Sequence, residues 1–268
     1  MGLRIVVAAA AGKMGRAVVA ALSAEPDLQL HAAIGRPQAP YLGQDAGTLA
    51  GVQSLGVPVG DDLDKALPGA DVLIEFSPAE VALQHLRLAA ARSCPVVLGS
   101  TGFTATGEAE IQRLAAQTAL LLAPNLSVGV NVLLAFLPKI VAALGPDYDI
   151  EIFEAHHRAK RDAPSGTALA LGKAAAAGRQ RELGELACFD RNGIASPRQS
   201  GSIGFATFRA ADVVGEHTIW LAGQGERLEL THRAGSRQNF AQGALRAARW
   251  LAARPAGRYD MQDVLGLR

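Results

Sequence analysis

A chain of 268 residues with 49% hydrophobic and 19% charged residues can bury one large core or two modest ones. With 26 Lys and Arg against 25 Asp and Glu, the formal net charge is +1, which leaves no basic stripe of the kind a nucleic acid requires. The two cysteines, Cys94 and Cys188, lie far apart and show no metal-type spacing, so neither a disulfide framework nor a Cys-based zinc site is indicated and a reducing cytoplasm is the simplest home.

In chain order, Leu3 to Ala8 is apolar but for Arg4, the pattern of a strand buried on both faces, and Arg16 to Ala24 carries a helical apolar stripe. Between them stand Ala9, Ala10, Ala11, Gly12, Lys13, Met14 and Gly15. The spacing is that of a G-x-x-G-x-x-G dinucleotide loop whose first glycine is replaced. Gly12 stands where the backbone approaches a pyrophosphate, Gly15 where helix and strand pack, and Ala9 at the turn itself. Because a Cβ penalises the left-handed region, Ala9 is expected to keep a negative φ. Rival readings fail on chemistry. A P-loop needs Ser or Thr after its Lys, where Met14 stands, and myristoylation needs one at position 6, where Val6 stands. The apolar start is not an export signal, because Lys13 and Arg16 follow at once and the pattern continues as a helix face.

Leu28 to Ile34 reads as the second strand, Asp71 to Phe76 as another, and Pro78 to Arg92 as a helix behind a Ser77-Pro78 start signal. Pro95 to Gly99 and Ala119 to Ala123 complete a βαβα alternation, which argues for an α/β fold with a parallel, doubly wound sheet. Such sheets bind ligands beyond the carboxyl ends of their strands. Three of those ends carry small or polar loops: Ala9 to Gly15, Gly99-Ser100-Thr101-Gly102, and Ala123-Pro124-Asn125-Leu126.

After Asn125 the pattern changes. Val128 to Leu144 is strongly apolar but interrupted by Asn131, Pro138 and Lys139, which fits a buried helix and not a membrane span. Tyr148 to Glu154 reads as a strand, a helix opens at Ser165, and strands follow at Ile203 to Arg209, Glu216 to Ala222 and Glu226 to Thr231. The turn Gly223-Gln224-Gly225 makes the last two a hairpin. This block has the grammar of an α+β unit on a mixed or antiparallel sheet. Phe240 to Ala252 is an amphipathic helix that can return to the first sheet.

The densest polar text is Glu154-Ala155-His156-His157-Arg158-Ala159-Lys160-Arg161-Asp162-Ala163-Pro164-Ser165-Gly166-Thr167. Adjacent side chains of an extended strand face opposite ways, so His156 and His157 are expected to do different jobs. Ser165, Gly166 and Thr167 at a helix start offer several free backbone N–H groups and room for an anion, a nest that suits a carboxylate. With Lys160 just upstream, the segment can grip an acidic substrate while His or Lys supplies a proton. Glu151, Glu154, His156 and His157 could also ligate a metal, but adjacent histidines diverge and no H-E-x-x-H helix exists, so no metal site is expected.

These residues resemble the 4-hydroxy-tetrahydrodipicolinate reductase (dihydrodipicolinate reductase) family, nearly end to end. The most specific match is EAHHRAKRDAPSGTAL at 154–169; GKMGR at 12–16, GSTGF at 99–103, NLSVGVN at 125–131, GFATFRAADVVGEH at 204–217 and DMQDVLGL at 260–267 support it. The resemblance implies a Rossmann-like domain of residues 1–126 with 237–268, a substrate and tetramerisation domain of residues 127–236, and reduction of a cyclic dicarboxylate by NADPH or NADH in a homotetramer. It implies proton transfer by His156 and Lys160, substrate contacts from His157, Ser165, Gly166, Thr167 and Arg237, and cofactor contacts from residues 9–15, Arg36, Gly99, Ser100, Thr101, Ala123, Pro124, Asn125 and Leu126. A redox sensor that kept only the nucleotide fold would be expected to lose the His-Lys-Ser-Gly-Thr segment, which is intact.

Two departures from the family pattern matter. One is Ala9. The other is Gly35-Arg36, where members that use both cofactors often carry an acidic residue before the Arg. Without that carboxylate the ribose of NADH loses a partner and a 2′-phosphate loses a repulsion, so NADPH is the expected preference, with Arg36 as its main contact and Lys13 assisting.

Overall fold

In the computed structural model, which describes residues 2–191 and 197–268, Leu3–Ala8 forms β1 and the side chains from Ile5 onward alternate between two cores. Ile5 and Val7 enter one; Val6 and Ala8 enter the other. The chain continues through α1 (Lys13–Leu22), β2 (Leu28–Ile34), α2 (Ala46–Ala50), β3 (Val59–Gly60), α3 (Leu63–Ala66), β4 (Val72–Glu75), α4 (Ala79–Ala91), β5 (Val96–Leu98), α5 (Ala105–Leu114) and β6 (Ala119–Leu122). Asp45, Asp62 and Thr104 cap α2, α3 and α5 by accepting from backbone N–H groups three residues on. The sequence pattern misses these three helices because two are a single turn and α5 carries few large apolar residues.

The second stretch opens with α6 (Val128–Leu144) and continues with β7 (Asp149–His156), α7 (Gly166–Gly178), α8 (Leu183–Leu186), β8 (Ala187–Cys188), β9 (Ile203–Arg209), β10 (Gly215–Gly223) and β11 (Glu226–Ala234). The chain closes with α9 (Gln238–Leu251), β12 (Gly257–Tyr259) and α10 (Met261–Leu265). Two units result, one running to Val128 and resuming at Arg237–Arg268, the other Gly129–Ser236.

The first unit carries a seven-stranded sheet in the order β12-β6-β5-β4-β1-β2-β3, every pair parallel. This is the Rossmann-like, doubly wound sheet expected. The amphipathic α9 packs Ala244, Leu245, Ala248 and Leu251 into the core it shares with α1. Its Gly243 lies so close to the loop after β6 that a Cβ would stand 1.8 Å from the Leu126 carbonyl oxygen.

The second unit has a five-stranded mixed sheet, β11-β10-β7-β9-β8, with β10 antiparallel to both neighbours and β9 parallel to β7 and β8. Ile150, Ile152, Ile219 and Leu221 pack against Leu137, Val141, Leu171 and Ala175. The expectation that α6 is a buried helix is corrected. It buries Val130, Asn131, Leu137 and Val141 but leaves Val132 and Phe136 exposed, so its apolar residues cover more of its circumference than the core accepts. Among the described residues no helix is long and apolar enough to cross a membrane.

Candidate active site

The loop after β1 departs from expectation at Ala9, which takes φ +54°. The turn demands it: the Ala9 carbonyl accepts the Gly12 N–H at 2.8 Å. Because helix and loop leave no space, a Cβ on Gly15 would stand 2.2 Å from that same oxygen. Gly15 therefore serves close packing, as its place in the spacing implies. Gly12 is the N-cap of α1 and offers no side chain to the first turn's N–H groups, which leaves that helix end open to an anion. Lys13 is exposed, Met14 is half-buried, and Ala10 turns its methyl into the core.

Ala9, Ala11, Gly12, Gly35 and Arg36 share the wall of a cavity of about 910 Å³. Arg36 donates its N–H to the Tyr41 hydroxyl at 3.0 Å, and among the described residues its exposed guanidinium enters no ion pair. A helix end without a side-chain cap, a glycine beside it and an uncommitted guanidinium in one cavity fit the phosphates of a dinucleotide. Gly99, Ser100 and Thr101 follow β5, and Ala123, Pro124, Asn125 and Leu126 follow β6; they stand outside the wall of that cavity. Gly99 makes room for the Phe76 ring, Ser100 donates its hydroxyl to the Ser77 carbonyl at 2.7 Å, and Asn125 accepts the Ser127 N–H at 2.9 Å.

In the second unit β7 extends to His156, so Glu154 and His156 face the same side as the core residues Ile150 and Ile152, while His157 lies just past the strand. Glu154 is 2% exposed. Its carboxylate accepts from both terminal nitrogens of Arg209 at 2.9 Å, from His156 Nδ1 at 2.6 Å, from the Ser165 N–H at 3.0 Å and from the Thr207 hydroxyl at 3.2 Å. Burial alone would raise this carboxyl, but Arg209, His156 and Ser165 together hold it below the usual carboxylate range. One buried group thus fixes both the ring of His156 and the start of α7.

Ser165 caps α7 by accepting the Ala168 N–H at 3.1 Å, and its hydroxyl is 3.0 Å from His217 Nε2. His217 is pushed down to about 4, first by burial and then by the neighbouring His156; the two rings meet edge to face at 5.2 Å. His156 is itself lowered by burial, an effect that Glu154 opposes and that the charges of Lys160 and Arg209 assist. Lys160 Nζ lies 2.8 Å from Asp162 Oδ2 and holds that carboxyl below its ordinary range.

The expected nest is narrower than the sequence suggests. The N–H groups of Ser165 and Ala168 are already engaged, whereas the N–H of Gly166 has no acceptor among the described residues and open space surrounds its α-carbon. Thr167 occupies the next position of the same first turn. Arg237 lies in the first unit, as the N-cap of α9. Sequence reasoning misses Arg209, Thr207 and His217 as partners of the site. All three sit within the GFATFRAADVVGEH run, and only the pairing of β9 and β10 with β7 brings them to Glu154 and His156.

The model of the dihydrodipicolinate reductase N-terminus matches residues 3–126, and that of the C-terminus matches residues 129–265. A 4-hydroxy-tetrahydrodipicolinate reductase of Anaeromyxobacter dehalogenans is 49% identical over 265 residues, covering 99% of this chain and 98% of that protein. Another of Thiobacillus denitrificans is 48% identical over 268 residues and the full length of both. Among solved structures, a dipicolinate-bound dihydrodipicolinate reductase from Paenisporosarcina sp. TG-14 shares the fold with a TM-score of 0.78 at 22% identity, covering 98% of this chain and 99% of that one.

Proposed function

Because the chain belongs to the dihydrodipicolinate reductase family, we propose that it reduces 4-hydroxy-tetrahydrodipicolinate to tetrahydrodipicolinate in lysine and diaminopimelate biosynthesis, using NADPH in preference to NADH. The observation that carries this reading is that one buried carboxylate, Glu154, holds both His156 and the open start of α7, with Lys160 on the same segment paired to Asp162. When bound, the nicotinamide supplies the hydride.

The chain's own residues account for the remaining steps. His157, Ser165, Gly166 and Thr167, with Arg237, bind the carboxylates of a cyclic dicarboxylate, for which a helix N-terminus and nearby cations are suited. Reduction of a conjugated imine-like ring leaves negative charge on the neighbouring atoms, and a placed acid quenches it. Lys160 is that acid. His156 gives its Nδ1 hydrogen to Glu154, so Nε2 is free to accept or relay a proton, and its lowered affinity for protons keeps it neutral near pH 7.

The decisive assay follows loss of NADPH absorbance with substrate generated enzymatically from pyruvate and aspartate semialdehyde, repeated with Lys160→Ala and His156→Ala. Turnover by the wild type and its collapse in both variants is the expected result; no turnover by folded wild type refutes the reading. A homotetramer in the cytoplasm is part of the same proposal. Its support is the face of the mixed sheet opposite α7, where Phe208 is exposed and the rings of Phe153 and Trp220 meet at a tilt with centroids 4.6 Å apart. Light scattering of purified protein tests the assembly.

A further inference from the structure

The second unit holds a cavity of about 740 Å³ that the chemistry above does not use. Its wall comes largely from the last turns of α6 and α7 and the residues just after them. The two helices close on each other at Gly178, where a Cβ would stand 2.6 Å from the Pro138 carbonyl oxygen. The catalytic segment lies at the other end of α7, a helix of 13 residues and so about 20 Å long.

The wall carries three cations, Lys139, Arg179 and Arg181, and two neutral polar side chains, Gln180 and Ser200; the rest is apolar residues and glycine. Among the described residues no Asp or Glu lines it. Arg179 is the C-cap of α7, and its terminal nitrogens donate to the carbonyls of Tyr148 and Gly201. Those carbonyls fix the side chain without cancelling its charge. Its Nε–H is buried with no acceptor, and among the described residues the guanidinium enters no ion pair. Burial, and then the charge of Arg198, lower its hold on the proton against a smaller pull from Asp149, the condition that a nearby anion relieves. Lys139 is exposed, stands 5.9 Å from the centre of the Phe136 ring and has no ion pair among the described residues.

The charge balance decides the sign of a ligand. The C-terminal ends of α6 and α7 contribute about half a negative charge each, and Glu185 offsets Arg181. Against three cations this leaves an excess of about one positive charge. A concave, mainly apolar space of this size with a few charged groups has the proportions of a small-molecule site. We infer that this cavity binds a small organic anion, with its carboxylate or phosphate against Lys139 and Arg179 and its apolar body against Val141 and Leu186.

Calorimetric titration with benzoate, phenyl phosphate and benzylamine tests it, because the three share a ring and differ in the head group. Benzoate, phenyl phosphate or both are expected to bind wild type, which also tells carboxylate from phosphate; benzylamine is not. Loss of a charge-assisted contact corresponds to about tenfold in affinity or more. Lys139→Glu is expected to weaken the anion by that factor, whereas Lys173→Glu, an equal charge change at an exposed residue outside the wall, is not. Wild type that binds neither anion overturns the inference, as does benzylamine binding as well as the anions. Weakening by less than about threefold in Lys139→Glu, or an equal weakening in Lys173→Glu, overturns it too, since the anion then sits elsewhere. Should Lys139→Glu fail to fold, the Cε resonance of Lys139 in wild-type protein decides: a shift with the anion and not with benzylamine supports the site, and a stationary resonance under saturating anion overturns it.

Discussion

His156 Nδ1 lies 2.6 Å from the Oε2 of Glu154, two residues earlier on the same strand, with Arg209 closing on the carboxylate from the adjacent strand. This fixes which ring nitrogen faces outward. Glu154→Gln keeps the shape but can present an amide N–H to the ring in place of an acceptor, which favours the opposite tautomer. The expected loss in kcat is about 10²-fold, the lower end of what a positioned acid or base contributes. Nitrogen-15 spectra should show the His156 hydrogen on Nδ1 in the wild type and its redistribution in the variant. A wild-type hydrogen on Nε2 would refute the assignment whatever the rates do.

Acid sensitivity should begin well above the carboxylate range. His217 falls from 6.5 to about 4 in the folded protein, so below pH 6.5 the unfolded chain takes up a proton that the folded one refuses. Stability is fully present above about 6.5 and is lost as the pH falls toward 4, by about 3 kcal/mol for this residue. His156, also lowered, acts in the same direction. Glu154 and Asp162 are held below their ordinary values, and their contribution disappears only at lower pH. Urea unfolding across this window should give a shallower pH slope for His217→Gln than for wild type; equal slopes would remove His217 from the account.

The same site shows what was legible in the sequence. The segment 154–169 is contiguous, so its histidines, lysine and helix start are readable without a fold. Arg209 is 55 residues from Glu154, and no local pattern announces that β9 lies beside β7 while β10 takes the other side. The first sheet is readable for the opposite reason, since each of its longer strands is a short, mostly apolar run set between helices. Its two-residue β3 is not. The positive φ of Ala9 is not legible, because the residue's own preference points the other way and only the turn, in which the Gly12 N–H fixes where the Ala9 carbonyl must point, imposes it.

Cofactor choice is testable at the end of β2. A Cβ on Gly35 would stand 2.5 Å from the Tyr41 ring, so Tyr41 occupies the space an acidic side chain there would need. The absent carboxylate removes a repulsion against a 2′-phosphate, and Arg36 supplies the attraction. Wild type should show the higher kcat/KM with NADPH, and Arg36→Ala should lower it by about tenfold or more, in line with loss of a charge-assisted hydrogen bond, with a smaller effect on NADH. Equal values for the two cofactors in the wild type, or a preference for NADH, would sink the argument.

Ala9→Gly should make the protein more stable. The left-handed region costs a Cβ-bearing residue about 1–2 kcal/mol, and Ala9 sits in it at φ +54°. Glycine removes that cost but gives the unfolded chain more freedom, so the net expectation is a gain of about 0.5–1 kcal/mol, or a rise in Tm of about 1–4 °C for a chain of this size. Gly15→Ala is the matched opposite. Its φ is ordinary, but the added methyl would meet the Ala9 carbonyl oxygen at 2.2 Å and the Ala10 α-carbon at 2.6 Å, so α1 or the loop must move. Overpacking of this kind costs about 1–3 kcal/mol. A Tm that falls for Ala9→Gly would mean that the methyl's packing outweighs the backbone strain, and the turn would then owe its geometry to that contact and not to the Gly12 hydrogen bond.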